Sequence, residues 1–339
     1  MNILNLVFLF IKIFVIFILI FLLKPITIIK NGLKNPDISV IIPIFNNEKY
    51  LPLCLNSVIS QSIKNIEIIC IDDGSSDKSL EILQKYKNSD NRIKIIHQKK
   101  NKGSAISRNK GIKKSKGKFL AFMDSDDLYP NKLVLEILYI NAIKNKVLIC
   151  GGQLKHFTQL KQKIIIFKNN TIDFTKQGLT KYYNYQFDYY FQRFIYKTNF
   201  IKKNRLYFPN YLRFQDPPFF IKTMIIGKNF YAIKKFTYLH RIWSKPIVFN
   251  ERKINDIYKG LKKCLDISQS NNLYKLYCKI LGRLNLNFII NNAKKNIKKS
   301  KRLRNSISLL LKSINYNIIK KENYSFTLNK FYNKFYYNI

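Results

Sequence analysis

The stretch KFLAFMDSDD, residues 118–127, joins a continuous apolar run to three aspartates. A short apolar run of this kind is typical of a strand that is buried on both faces of a parallel sheet. Residues 118–124 are therefore predicted to form such a strand. Asp124, Asp126 and Asp127 would then lie at its carboxyl end.

Similar apolar runs precede this one, and apolar residues at helical spacing separate them. The predicted strands are 38–45, 66–72, 92–98 and 118–124, and the predicted helices are 48–60, 76–86, 103–114 and one that starts at Pro130. Alternating strands and helices predict an α/β fold, with a mainly parallel sheet and helices on both faces. Ligands of such sheets bind beyond the carboxyl ends of the strands.

Acidic residues follow two of the predicted strands at this edge. DSDD alone, at 124–127, is as consistent with a helix-capping turn as with chemistry. The chain has only 19 acidic residues against 61 basic ones, and crowded carboxylates repel each other unless a cation offsets them. A hard divalent cation shared with a substrate diphosphate would do so. In the second turn, 72–75, a carboxylate could accept a hydrogen bond from a nucleobase N–H.

Both acidic turns lie within longer stretches that stand in a fixed order. These stretches are ISVIIPIFNNEKYLPLCLNSVISQS (38–62), IEIICIDDGSSDKS (66–79) and NKGSAISRNKGIKKSKGKFLAFMDSDDLYPNKL (101–133). Together they resemble the family 2 glycosyltransferases, which have the GT-A fold and use nucleotide-sugar donors. The resemblance continues more thinly through FQDPPFF (214–220) and YLHR (238–241), and it fades after about residue 250.

The resemblance implies a nucleotide site in the first part of the chain. Pro43 and Phe45 would lie against the nucleobase, with the Phe45 ring stacked on it. The alternative for Phe45 is a place in the core. Asp73 would accept the uracil N3–H, while Asp72 would order the turn.

The resemblance also implies a metal and diphosphate site. Asp124 and Asp126 match the DxD motif of the family, so Asp124 would approach the ribose or the metal shell and Asp126 would ligate Mn²⁺ or Mg²⁺. Arg108 lies in the matching text SAISRNKG (104–111) and would support the diphosphate or the DxD loop; the alternative is a structural salt bridge. Asp127 is expected to cap the following helix.

Family 2 enzymes invert the anomeric centre, and their general base is usually an aspartate after the acceptor loop. Here that residue is Asp216, which the resemblance implies is catalytic; the alternative is a helix cap before Pro217. His240 replaces the second tyrosine of the family's YxYR text, and a structural role is expected for it. Gly151 and Gly152 resemble a flexible start of the acceptor half.

The first residues have the composition of a membrane segment. Residues 3–23 are predominantly apolar and carry one charge, Lys12, and about 20 such residues span the roughly 30 Å of a bilayer's hydrocarbon core. No A-x-A-like cleavage site follows, whereas lysines do, which places the rest of the chain in the cytoplasm by the positive-inside rule. The segment would cross an inner or plasma membrane, or lie in its interface.

Four segments follow from these patterns. Residues 1–24 are predicted to be the anchor and 25–36 a linker. Residues 37–250 would be the GT-A domain, with a nucleotide-sugar half (37–130) and an acceptor half (131–250). Residues 251–339 would form a basic, mainly helical region.

The composition allows several functions. The 339 residues carry a net charge of +42, and residues 271–339 hold 15 Lys and Arg against the single acid Glu322. A charge run is usually a solvated face, although it also suits an anionic membrane. The five cysteines lie in apolar runs without a CxxC pair, which predicts buried free thiols.

The expected function is metal-dependent transfer from a nucleotide sugar, UDP-linked by family precedent, to a glycan or lipid-linked acceptor in cell-surface polysaccharide assembly. No nucleic-acid partner is expected. The alternatives are a non-catalytic basic protein that binds nucleic acid or anionic membrane, and an inactive donor-binding relative. A nicotinamide dehydrogenase is disfavoured because no GxGxxG follows the first strand.

Overall fold

The computed structural model describes residues 35–160, 163–242 and 248–324. Within them, nine strands form one sheet in the order β3-β2-β1-β4-β8-β5-β9-β7, and β6 pairs with β5. The first four strands are β1 (Ile38–Ile44), β2 (Ile66–Asp72), β3 (Ile93–His97) and β4 (Phe119–Phe122), and the others are β5 (Ile149–Leu160), β6 (Lys163–Ile172), β7 (Gly178–Lys181), β8 (Phe194–Lys197) and β9 (Asn229–Arg241).

The first half of the sheet has the predicted architecture. β1 pairs in parallel with β2 and β4, and β2 pairs in parallel with β3. Helices join these strands, because parallel neighbours need a crossover connection. The helices are α1 (Leu51–Ile59), α2 (Ser79–Ser89), α3 (Ser104–Lys114) and α4 (Val134–Lys144).

The second half of the sheet is mixed. β8 is antiparallel to both β4 and β5, and β6 and β7 are antiparallel to β5 and β9. Only the β5–β9 pairing is parallel among the strands that the structure describes there. The expectation of a mainly parallel sheet therefore holds for the first half alone. Direct connections such as that between β5 and β6 impose antiparallel pairing.

Two apolar cores lie on the two faces of the sheet, as the α/β interpretation requires. Along β1, Val40 and Ile42 pack with α1 and α4, whereas Ile41 packs with α3. This alternation follows from the two-residue period of a strand. Burial on both faces explains why the strand is apolar at nearly every position.

The chain after residue 250 is helical, as predicted, over its described part. Its helices pack on α7 (Asp216–Gly227) and extend the core that contains Ile41. The shorter α5 (Tyr182–Tyr185) and α6 (Thr198–Lys203) lie between β7 and α7 in sequence. The helices after residue 250 are α8 (Glu251–Ser270), α9 (Tyr274–Gly282), α10 (Asn287–Ile297), α11 (Lys301–Lys312) and α12 (Tyr316–Lys321).

Two local predictions are wrong. Pro130 does not start a helix, since α4 begins at Val134. Gly151 and Gly152 are not a flexible start: both lie inside β5, where an added Cβ would come within 2.0 Å of the Phe194 ring and 2.3 Å of Thr237, respectively. They are glycines because neighbouring side chains occupy the space.

The cysteine prediction is confirmed, and the anchor prediction is untested. Cys54, Cys70, Cys150, Cys264 and Cys278 are all buried and free. The predicted anchor, 1–24, lies outside the described residues. Among the helices that are described, none combines the length and the hydropathy that crossing a membrane requires.

Candidate active site

Arg108 connects two of the predicted site residues. Its Nη2 donates to Asp124 Oδ1 at 2.6 Å, and its Nη1 donates to Asp216 Oδ1 at 3.1 Å. Asp124 follows β4, Asp216 begins α7, and Arg108 lies in α3. The salt bridge that sequence analysis left as an alternative is therefore present, and it links the two acids of the motifs.

The position of Arg108 is fixed by its surroundings. The side chain is buried, and its guanidinium lies 5.1 Å from the ring of Phe191 and 5.3 Å from that of Phe208. Nη1 also donates to Ser104 Oγ, one turn earlier in α3, at 3.3 Å. Arginine suits such a place, because its planar cation stacks on rings while its fork binds carboxylates.

Asp124 is held from several sides. Gln192 Nε2 donates to its Oδ2 at 2.8 Å, and its backbone N–H donates to the hydroxyl of Tyr238 at 3.0 Å. Burial alone would raise the pKa of Asp124. The charge and hydrogen bond of Arg108, with the amide of Gln192, overcome that effect and lower the pKa below its usual value. Asp124 is therefore a carboxylate at neutral pH.

Asp127 has a role that the sequence analysis missed. Its Oδ2 accepts from the hydroxyl of Tyr238 at 2.7 Å, and its Oδ1 accepts from the backbone N–H of Arg241 at 2.7 Å. The expected helix cap is wrong, because these bonds tie the acidic turn to β9. Burial, reinforced by the charges of Asp126 and Asp124, raises the pKa of Asp127 well above its usual value.

Asp126 occupies the middle of the same turn and is half-buried. Its backbone carbonyl accepts from Arg241 Nε at 2.7 Å. The hydroxyl of Ser125, the preceding residue, accepts from Asn47 Nδ2 at 2.8 Å, which ties the turn to the loop after β1. The turn is thus fixed by β9 on one side and by that loop on the other.

Asp73 lies at the carboxyl end of β2 and is buried. Its oxygens accept from the backbone N–H groups of Lys102 and Gly103, at 2.9 and 2.8 Å, and from Gln98 Nε2 at 2.7 Å. Burial outweighs these bonds and raises the pKa of Asp73. Asp72, beside it, accepts a hydrogen bond from His97 Nδ1 on its Oδ2 at 2.7 Å. The contact of Asp73 with a nucleobase stays a prediction.

Phe45 and Pro43 flank the same edge. Phe45 follows β1 and its side chain is 44% exposed, which excludes the alternative of a core position. Pro43 lies inside β1, opposite Ile71 of β2. The structure therefore leaves an aromatic ring in solvent near the second acidic turn, while Pro43 belongs to the sheet.

Asp216 begins α7, and Pro217 and Pro218 complete the first turn. The N-cap residue is Gln215, and no side chain forms a capping hydrogen bond, so the capping alternative is wrong. The side chain of Asp216 keeps 31% of its surface exposed. Partial burial raises the pKa of Asp216; the charge of Arg108 lowers it, and that of Asp124 raises it further. A carboxylate with a raised pKa and an open face suits a general base.

His240 has structural partners, as expected. Its Nδ1 lies 3.1 Å from Nδ1 of His156, and the hydroxyl of Tyr190 lies 3.4 Å from Nε2 of His156. Burial lowers the pKa of both histidines. The neutral imidazoles therefore form a packed cluster beside the acidic turn.

The donor set of the acidic turn suits a hard cation that is shared with a substrate. The described residues contain no group of three or more His, Cys, Asp or Glu side chains that could hold a metal ion by themselves. Mg²⁺ is commonly bound by one or two carboxylates together with substrate phosphates and water. Asp126 and Asp124, two carboxylates on one turn, fit that description.

Comparison with known proteins identifies the same family that the sequence motifs resemble. The family model described as glycosyl transferase family 2 matches residues 39–213, which is about half of the chain. The chain belongs to glycosyl transferase family 2. Arg108, Asp124 and Asp126 lie inside the matched range, and Asp216 follows it closely.

Two proteins that are named as glycosyltransferases are similar to parts of this chain. Glycosyltransferase GlyG of Streptococcus pneumoniae is 31% identical over 223 residues, which cover 63% of this chain and 73% of GlyG. The putative glycosyltransferase EpsH of Bacillus subtilis is 39% identical over 119 residues, 35% of this chain and 34% of EpsH. This family 2 chain thus spans only about a third of that relative's length.

Solved structures support the fold. Staphylococcus aureus TarS, residues 1–349, in complex with UDP-GlcNAc, superposes with a TM-score of 0.67 over 84% of this chain and 83% of that one, at 20% identity. A structure of the same TarS fragment with UDP has a TM-score of 0.64. At this identity the likeness establishes the GT-A fold for this family 2 chain and nothing more.

Proposed function

We propose that the chain is an inverting glycosyltransferase that moves a sugar from a nucleotide-sugar donor to a hydroxyl group of a glycan or lipid-linked acceptor. The observation that carries the proposal is the ion-pair cluster in which Arg108 joins Asp124 to Asp216. It joins the acid of the donor motif to the candidate base. A cluster with only a structural role would not need these two acids beyond the carboxyl ends of the strands, where ligands bind.

The donor is proposed to be a UDP-sugar. The exposed ring of Phe45 would stack on the base, and Asp73, at the end of β2, would accept the uracil N3–H. The TarS structures of the same fold hold UDP-GlcNAc and UDP, which supports this choice of nucleotide.

In the proposed reaction, Asp216 takes the proton of the acceptor hydroxyl while that oxygen forms a bond to the anomeric carbon. The bond from this carbon to the diphosphate oxygen breaks on the opposite face, and the nucleoside diphosphate leaves with the electron pair. Asp126, with Asp124 behind it, would hold Mn²⁺ or Mg²⁺. At such a site the ion supplies Lewis-acid stabilisation of the charge that develops on the diphosphate. Arg108 orients the carboxyl group of Asp216, and its positive charge favours the ionised form of that group.

The proposed location is the cytoplasmic face of an inner or plasma membrane, where residues 1–24 would be the anchor. The basic surface supports this location. Residues 294–304 carry seven exposed cations and no acid, and Ile297 and Leu303 of the same stretch are buried in the core. A cell-surface polysaccharide with a lipid-linked acceptor is the product class that fits an enzyme held there.

The test is donor turnover by the purified full-length chain in detergent micelles. UDP-, GDP- and dTDP-sugars are supplied with Mn²⁺ or with EDTA, and released nucleoside diphosphate is measured for the native chain, Asp126→Ala and Asp216→Asn. We expect metal-dependent release from one UDP-sugar. Asp126→Ala should abolish it, and Asp216→Asn should reduce it by about 100- to 10,000-fold, the usual contribution of a general base.

Calorimetry with UDP on the same samples covers the case in which turnover needs the acceptor. Metal-dependent UDP binding by the native chain, weakened by Asp126→Ala but kept by Asp216→Asn, would support the proposal. A folded chain that binds no nucleotide would rule it out, and would favour the non-catalytic alternative if nucleic acid or vesicles bound instead.

A further inference from the structure

A cavity of about 160 Å³ opens beside Asp216, between the start of α7 and the helices after residue 250. A protein cavity of about 150 Å³ accepts a benzene-sized molecule, so this one has room for one ring-sized group. Its base is apolar, and includes Ile257 and Ile289, both buried, together with Phe249. The family match ends at residue 213, so the three residues of this apolar base lie in a part of the chain that the motifs do not cover.

Two aromatic rings and a guanidinium form one side of the cavity. Tyr189 and Phe214 lie edge to face, with ring centroids 6.4 Å apart. The guanidinium of Arg283 lies 4.0 Å above the ring of Tyr189, and Asp188 accepts its hydrogen bond at 2.7 Å. The charge of Arg283 is thus balanced by Asp188, and its plane is held in place.

Arg213 differs from the other charged groups of the wall. Asp216 is paired with Arg108, and Arg283 with Asp188, whereas Arg213 is exposed and forms no ion pair with any residue that the structure describes. Its charge lies close enough to Asp216 to lower the pKa of that carboxyl group. The cavity therefore has, next to the candidate base, one guanidinium that no carboxylate of the described residues engages in an ion pair.

We infer that this cavity is the acceptor subsite and that it takes a sugar residue with an anionic substituent, a phosphate or a carboxylate. This inference rests on the proposed function, because it assigns the substrate class of the same site. The apolar base and the rings would cover the C–H face of the sugar, as in most small-molecule sites. Arg213 would bind the anion with its fork of donors. The acceptor hydroxyl of the bound sugar would face Asp216.

The test is a ligand-observed NMR titration of the full-length chain in detergent micelles, with UDP and Mg²⁺ present. Four probes are compared: glucose 6-phosphate, glucuronic acid, glucose and inorganic phosphate. We expect at least one of the two anionic sugars to bind about tenfold more tightly than glucose and than inorganic phosphate, since a charge-assisted pair is added to the sugar contacts. Whichever of the two anionic sugars binds more tightly shows whether the cavity prefers a phosphate or a carboxylate substituent.

Two variants complete the test. Arg213→Gln should bring the anionic sugars to the affinity of glucose, while Lys222→Gln, which removes an exposed charge elsewhere on α7, should keep the preference. Equal binding of all sugars by the native chain, no sugar binding, or an unchanged preference in Arg213→Gln would overturn the inference. Inorganic phosphate that binds as tightly as the sugars would also overturn it, since that indicates general attraction to a basic protein. UDP binding in the same samples reports on the proposed function separately.

Discussion

At the scale of single residues, Arg108 governs the charge of the site. It is buried between two aspartates, and its own pKa stays raised because their charges outweigh the effect of burial. A buried cation of this kind stabilises two carboxylates that would otherwise repel each other. The ionisation of Asp216 therefore depends on a residue that lies 108 positions earlier in the chain.

The first prediction concerns pH. Asp216 acts as a base only when ionised, so transfer should be lost as pH falls through its raised pKa. Arg108→Gln removes the charge that holds this pKa down, so the acid limb of the profile should move to higher pH. The measurement is kcat/KM for donor turnover as a function of pH in both proteins.

Lys114→Gln is the matched control, because it removes one exposed charge from the end of the same helix. It should leave the acid limb where it is. An Arg108→Gln profile that keeps the native midpoint would mean that Asp216 does not set the acid limb.

The sequence predicted the residues of this site better than their contacts. Asp124, Asp126 and Asp216 stand in the motifs that carry the resemblance, and their roles in the reaction stay predictions. Nothing in the spacing of DSDD shows that its last aspartate bonds to β9 instead of capping a helix. That contact joins residues 127 and 241, and pairings over such distances are set by the packing of the whole sheet.

At the scale of elements, Tyr238 of β9 positions the acidic turn. Its hydroxyl donates to Asp127 and accepts from the backbone N–H of Asp124. Tyr238→Phe leaves both groups without this partner in a buried place. An unsatisfied buried group costs about 1–3 kcal/mol, so we expect the free energy of unfolding to fall by about that amount. Urea denaturation measures it.

Tyr231→Phe is the control, because Tyr231 lies on the same strand and its hydroxyl forms no hydrogen bond with the residues that the structure describes. Its stability should be close to that of the native chain. Equal losses in the two variants would mean that the hydroxyl of Tyr238 is not what fixes the turn.

A third prediction tests the packing of β5. Gly151→Ala would place a Cβ 2.0 Å from Cδ1 of Phe194, a side chain that is itself fully buried. Overpacking of this kind costs about 1–3 kcal/mol. The midpoint of urea denaturation should fall. A stable Gly151→Ala variant would instead support the flexible segment that the sequence indicated.

The elements themselves were predictable to different degrees. β1 to β4 are apolar runs that are buried on both faces, and their ends differ from prediction by at most two residues. β5 and β9 have no strict two-residue alternation of burial and carry lysines, and the apolar run 164–167 of β6 is largely exposed, so the pattern that marks β1 to β4 is missing there. Hydrophobic periodicity therefore does not predict the mixture of parallel and antiparallel strand pairs in the second half of the sheet.

At the scale of the whole molecule, the excess charge is not evenly used. The five helices after residue 250 direct their apolar residues into the core that they share with the sheet. The cations of α10, of the start of α11 and of the turn between them stay exposed. Attraction to an anionic bilayer would contribute about 1 kcal/mol per lysine if this surface faced one.

The last prediction tests that surface apart from the predicted anchor. The described residues from Pro36 onward form a compact unit of their own, so a chain that begins at residue 36 can be used. It should sediment with vesicles that contain phosphatidylserine or phosphatidylglycerol and not with phosphatidylcholine vesicles, and binding should weaken as salt rises, because the charges are screened. Substituting glutamine for Lys294, Lys295, Lys298 and Lys299 should weaken it by roughly 4 kcal/mol at low salt.

The control exchanges four exposed lysines elsewhere, Lys87, Lys114, Lys132 and Lys144, and has the same net charge as the test variant. If binding followed net charge alone, both variants would lose binding equally. The basic residues after residue 250 would then be an ordinary solvated face. Loss confined to the first variant would mean that the helices after residue 250 present a specific face to the membrane. The acceptor cavity lies against α10 of that face, so a lipid-linked acceptor would then reach Asp216 from the bilayer side.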